Sequence, residues 1–270
     1  MLLTGTETLH RAARQGWALP AFAVSNLEMI QAIVTAAEEA DRPVLLLAGS
    51  SHFHHAGQKA LMNMALTAAH STSAPVGVHL DHCRDLAEMQ RCLDACYSSV
   101  MIDGSHLSFQ DNIELTQKAT ALARSAGAWI EAELGSVPGD EDVSTNALPS
   151  QTMTDPRQAR EFAERTGIDA LAVAVGNVHG FTASPVTLDL ERLRAMQRSA
   201  RFSWFCTGRA DCRPNSFEAP SPVVSPKSTS TLNCAAPTSP QSNGHCRRRC
   251  RTLTPSPYGR RDVPLSRSRR

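Results

Sequence analysis

The sequence predicts an α/β fold of repeated βα units followed by a tail of a different kind. Three observations predict it. Short apolar, often β-branched runs alternate with longer segments of helical period, as expected for strands and helices around a parallel sheet. Ionisable residues collect where successive strand candidates end. The charge balance then inverts: residues 1–202 hold 15 Lys and Arg against 23 Asp and Glu, or −8, and residues 203–270 hold 12 against 3, or +9. The whole-chain charge of +1 is therefore a cancellation between two compositions.

The strand candidates are Leu19 to Val24, Pro43 to Leu47, Val76 to Leu80, Ser99 to Ile102, Trp129 to Leu134 and Ala170 to Val175. Helix candidates run over 26–40, 57–72, 84–97, 108–126, 156–166 and 188–198. Asn26 before Leu27-Glu28 and Asp155 before Pro156 are start signals, and Gly167 is a stop. A repeat of roughly 30 to 40 residues fits either a doubly wound sheet or a TIM barrel, and a barrel needs eight units. Two are missing.

Several classes are excluded. No apolar run approaches the roughly 20 residues needed to cross a bilayer, and the first residues lack a basic segment followed by an apolar core. Cys83, Cys92 and Cys96 show no framework spacing, so a reduced, cytoplasmic setting is expected. The acidic body argues against nucleic acid as its partner.

His79, Asp81 and His82 close the third strand candidate, and Asp103 and His106 follow the fourth. Glu131 and Glu133 lie on the fifth, and His179 follows the sixth. One such residue would be an ordinary loop or core polar group. Recurrence across four strands points to a site, because buried carboxylates and imidazoles are costly unless paired or bound to metal. His82 and His179 could share a metal, zinc being the natural candidate, with a third donor due from a later strand. The body supplies none. His52, His54 and His55 read as surface loop or helix-start residues, and His10 and His70 are expected to sit on helices. The acidic segment from Gly135 to Val143 reads on spacing alone as a solvated turn, or else as a lid bringing a carboxylate to a metal-bound substrate.

These residues form an ordered pattern: Pro20-Ala21-Phe22 with Asn26-Leu27-Glu28, Val78-His79-Leu80-Asp81-His82, Ile102-Asp103-Gly104-Ser105-His106, Glu131-Ala132-Glu133-Leu134-Gly135, Gly139-Asp140-Glu141-Asp142 and Val175-Gly176-Asn177-Val178-His179-Gly180. The pattern resembles the zinc-dependent class II ketose-bisphosphate aldolases over essentially residues 1–200, with Ala159 to Ala163 and Thr166 to Asp169 nearest the tagatose-bisphosphate branch. The resemblance implies a TIM (β/α)8 barrel with about six units recognisable. It implies reversible cleavage of tagatose or fructose 1,6-bisphosphate to dihydroxyacetone phosphate and glyceraldehyde 3-phosphate. By the same resemblance His82 and His179 bind the catalytic zinc, and Asp81 exchanges a proton with the oxygen at the cleaved bond. Glu141 moves the proton at the dihydroxyacetone-phosphate carbon, Asp103 and Glu133 are secondary metal carboxylates, and Gly180 binds phosphate and a monovalent cation. Zinc would stabilise the charge left by carbon–carbon cleavage as a Lewis acid. Lys59 and Lys118, the body's only lysines, lie at no strand end, which disfavours a Schiff-base route. The family implies a homodimer or homotetramer. Ala23, Cys83 and Pro138 depart from its pattern without removing a proposed catalytic group.

After residue 202 the family pattern calls for a seventh strand reading Leu-Val-Leu-His-Gly-Ala-Ser-Gly-Leu-Pro. The chain instead reads Ser203-Trp204-Phe205-Cys206-Thr207-Gly208-Arg209. Back-translation in a shifted frame permits the missing motif, and the segment Lys227 to Cys234 permits the eighth-strand motif Ile-Asn-Val-Asn-Thr-Glu-Leu. A net loss of one base near codons 198–203 would account for both. Residues 203–270 are then an out-of-frame, Pro/Ser/Arg-rich tail, expected to be disordered because its apolar content cannot offset the cost of ordering it. The expected consequences are an unclosed barrel with exposed strand edges and an inactive chain lacking the third zinc His and the later phosphate loops. The competing reading is a vestigial barrel whose clustered arginines, Arg247 to Arg249 among them, form a nucleic-acid-binding arm. A metal-dependent hydrolase on the same barrel is a third.

Overall fold

Six strands lie side by side in chain order, all parallel: β1 (Leu19–Ala23), β2 (Val44–Leu47), β3 (Val76–Cys83), β4 (Ser99–Ile102), β5 (Trp129–Leu134) and β6 (Ala170–Val173). The computed structural model describes residues 1–15, 17–135, 137, 153–178, 187–199, 203–206 and 230–235. The connections carry α2 (Leu27–Ala40), α3 (Ser50–Ala56), α4 (Gln58–Ser71), α5 (Leu86–Asp94), α6 (Phe109–Ala126) and α7 (Pro156–Thr166), with α1 (Glu7–Gln15) before β1 and α8 (Leu190–Ser199) after β6.

The element boundaries have local causes. Asn26 accepts from Met29 N at 2.9 Å to start α2, and Asp155 accepts from Arg157 N at 2.7 Å and Gln158 N at 3.1 Å to start α7. Gly167 ends α7 at φ +66°, a conformation L side chains rarely adopt. β2, β4 and β6 are buried at every position, because a barrel strand is covered by helices on one side and by the opposite strands on the other.

The core divides accordingly. Val44, Leu46, Val76, Val78, Leu80, Val100, Ile102, Ile130, Leu171 and Val173 point outward and pack under the helices. Leu19, Ala21, Ala23, Leu45, Leu47, Met101, Trp129, Ala170 and Ala172 fill the barrel interior. Each Val, Leu or Ile side chain fully buried in this way contributes roughly 1.5–3 kcal/mol.

Three findings differ from the sequence reading. Helix α3 is additional and carries His52, His54 and His55, while α1 gives bounds to the helix expected around His10. β3 runs three residues past Leu80 and so takes Asp81 and His82 onto the strand. The barrel is also closed, which corrects the expectation of an open ring. β7 (Ser203–Cys206) pairs parallel to β6, and β8 (Ser230–Ala235) bridges β7 and β1. β8 is antiparallel to both neighbours, so it is not an eighth βα unit. The edges of β1 and β6 present unpaired backbone groups that any extended segment can satisfy, whatever its side chains. The rest of the tail lies outside the described residues. Among the described residues no helix is long and apolar enough to cross a membrane.

Candidate active site

The site is built on the C-terminal ends of β3, β4 and β5. Period-two alternation sends His79 and Asp81 to the barrel interior and would send His82 outward. It does not, because the β3–β4 register shifts between Leu80 and Cys83 and His82 takes φ +47°. A non-glycine residue at positive φ is strained, and a bulge at a strand end re-aims a side chain. Here it turns the imidazole so that Nδ1 lies 3.5 Å from Glu133 Oε2 and 3.7 Å from Asp103 Oδ2.

His82, Asp103 and Glu133 each offer a ligand atom within 4.8 Å of the others. Asp81, Asp103 and Glu133 are all buried. Asp103 accepts Ser105 N and Oγ on Oδ1, at 3.0 and 2.7 Å, and Arg84 Nε and Nη2 on Oδ2, at 3.0 and 2.7 Å. Glu133 is held through its backbone, its carbonyl accepting Asn112 Nδ2 at 2.9 Å. Gly104 lets α6 approach this closely, since a Cβ there would run into the Asn112 side chain. Gly49 does the same for Asp81, where a Cβ would stand 2.6 Å from the Asp81 carbonyl oxygen.

A second polar layer lies below. His79 Nδ1 is 2.8 Å from Ser99 Oγ, its Nε2 is 3.4 Å from Glu131 Oε2, and its ring stacks on Trp129 at 5.2 Å. His79 and Glu131 thus lie in the barrel's interior packing, while exposed His106 is outside the group.

The electrostatics describe a pocket with excess negative charge. Burial alone would lower the His82 pKa, but Asp81, Asp103 and Glu133 outweigh it and push it up to about 10. Burial, aided by Asp103 and Asp81, pushes Glu133 up to about 7 against the pull of His82. Burial would raise Asp103 too, yet the neighbouring His82 imidazole and the hydrogen bonds from Ser105 and Arg84 hold it well below the usual carboxylate range. Glu133 Oε2 is buried with no hydrogen-bond partner. Three carboxylates around one imidazole, one of them with an unsatisfied oxygen, fit a divalent cation by donor type and by charge.

His82, Asp103 and Glu133, expected to serve two neighbouring metal positions, are brought into one cluster with Asp81 on the same strand end. His179, Gly180 and Glu141 lie outside the described residues. Arg84, Ser105 and Asn112 were missed by the sequence reading. Arg84 directly follows the His82-Cys83 pair and had a signal in its position, whereas Asn112 inside a helix had none.

A parallel β/α barrel with a cation-fitted acidic pocket at the C-terminal ends of its strands has the general form of a barrel enzyme. The profile of the family "Fructose-bisphosphate aldolase class-II" matches residues 4–207, and the chain belongs to that family, whose members are lyases. It is 38% identical over 192 residues to the D-tagatose-1,6-bisphosphate aldolase subunit GatY of Klebsiella oxytoca, covering 71% of this chain and 68% of that one. Among solved structures, the YdjI aldolase from Escherichia coli K12 aligns with a TM-score of 0.67 and 31% identity, over 76% of this chain and 72% of that one. A putative fructose-1,6-bisphosphate aldolase from Coccidioides immitis aligns with a TM-score of 0.64 and 36% identity, over 71% and 67% of the respective chains.

Proposed function

We propose that residues 1–202 carry the active-site frame of an aldolase for tagatose or fructose 1,6-bisphosphate, and that this chain is inactive as it stands. The observation that carries the reading is the convergence of Asp81, His82, Asp103 and Glu133 on the ends of three adjacent strands. The likeness to GatY favours the tagatose epimer.

His82 and His179 would hold zinc, with Asp103 and Glu133 as further metal carboxylates. Bound there, zinc would supply Lewis-acid polarisation of the substrate carbonyl. The chain's own groups do the rest. Asp81 takes the proton from the hydroxyl at the cleaved bond and returns it to the aldehyde in the reverse direction. Glu141 moves the proton at the dihydroxyacetone-phosphate carbon, and Gly180 offers backbone to the phosphate and a monovalent cation.

Residues 203–270 are read as out-of-frame translation, in keeping with the end of the family match at residue 207 and with the charge inversion after residue 202. The third zinc His and later phosphate loops are then lost, which is the reason for inactivity. The intact enzyme is read as a cytoplasmic homodimer or homotetramer.

The test assays the purified chain with zinc and each bisphosphate beside a version whose frame is restored from residue 203. The expected result is no cleavage above background by the first and turnover by the second, faster on tagatose 1,6-bisphosphate. Robust turnover by the chain as it stands overturns the inactivity, and none by the restored chain overturns the aldolase reading.

A further inference from the structure

The carboxylates of the site are not equally available to a cation. Asp103 receives two donors on each oxygen, from Ser105 on Oδ1 and from Arg84 on Oδ2. A carboxylate offers about four lone-pair directions, so protein donors already use the full capacity of this one. Glu133 Oε2 is the opposite case, buried and without a hydrogen-bond partner. Arg84 reaches Asp103 from the rim: the Arg84 side chain is 62% exposed while that of Asp103 is 3% exposed. The guanidinium can therefore withdraw into water by side-chain rotation, with the backbone left in place.

We propose that Arg84 is a built-in competitor for the divalent cation. Its guanidinium holds the oxygen of Asp103 that a cation shared with His82 and Glu133 requires, so cation entry requires Arg84 to leave. The two cannot share Oδ2, because a guanidinium within hydrogen-bond distance of that oxygen would sit against a like charge. Arg84 thus sets the affinity of the site and makes it weaker than the donor set alone would give. The opposite role, an arginine that orients Asp103 for the metal, predicts the opposite sign on removal.

The inference rests on the reading that the cluster takes a divalent cation, and the experiment separates the two. The full chain is freed of metal and titrated with cobalt(II), followed by visible absorption and calorimetry, for wild type, Arg84→Ala, Arg84→Lys, Asp103→Asn and the Arg84→Ala/Asp103→Asn double variant. Arg84→Ala is expected to bind on the order of tenfold more tightly, the scale of one charge-assisted contact. Arg84→Lys, with a single-point donor, is expected to fall between. The gain should vanish in the Asp103→Asn background, because it acts through that carboxylate. Equal or weaker binding by Arg84→Ala, or a gain that persists without Asp103, overturns the role of Arg84 alone. Absence of cobalt binding in every variant overturns the cation reading and this inference with it.

Discussion

Between β2 and β3 the ladder runs from Val44 opposite Val76 to Leu47 opposite His79, both strands pointing the same way. Between β1 and β8 it runs from Leu19 opposite Asn233 to Phe22 opposite Ser230, in opposed directions. Both ladders satisfy backbone donors and acceptors, and both help to close the ring. They differ in what they deliver to the rim. A parallel strand ends at the face where Asp81, Asp103 and Glu133 collect. β8 enters at that face beside Phe22 and Cys206 and leaves at the other. Closure of a barrel is thus a backbone matter, whereas assembly of its site depends on strand direction, since only a strand ending at the rim sets its following loop there.

The largest expected effect separates the two regions directly. A chain ending at residue 202 would leave the edges of β1 and β6 bare, and it should self-associate in size-exclusion chromatography under conditions where the full chain does not. Identical elution of the two would show that β7 and β8 cover nothing.

A core truncation in the parallel region should be next. Phe162 is fully buried on α7 and packs against Phe109 of α6 at 6.1 Å between ring centroids. Phe162→Ala should cost about 3–5 kcal/mol in urea unfolding of the full chain. A cost below about 1 kcal/mol would show that this layer is far looser than its burial implies.

The smallest effect probes the α7 cap. Hydrogen bonds from the backbone N–H groups of Gln158 and Arg157 lower the Asp155 pKa. An acid so lowered adds stability above its unfolded pKa, and that stability is lost as pH falls through the folded value. Asp155→Ala should cost about 1 kcal/mol at neutral pH. Asp155→Asn should keep the cap but remove its titration, so the melting temperatures of wild type and Asp155→Asn should differ more at pH 6 than at pH 3. An equal difference at both would rule out the charged cap.

The alternation of apolar runs was enough to locate β1 to β6 and the helices starting at Asn26 and Asp155, because strand period and cap chemistry act over a few neighbouring residues. Asp81, His82, Asp103 and Glu133 were legible for the same reason: each stands at or just past the end of a strand that its own neighbours define. Tertiary structure alone decided the rest. The positive φ of His82 follows from a register shift against β4, the hold of Arg84 on Asp103 spans two strand ends, and that of Asn112 on Glu133 joins α6 to β5. The direction of β8 was likewise settled by its neighbours: in a short extended segment nothing local distinguishes parallel from antiparallel pairing, and only the two strands it joins can choose.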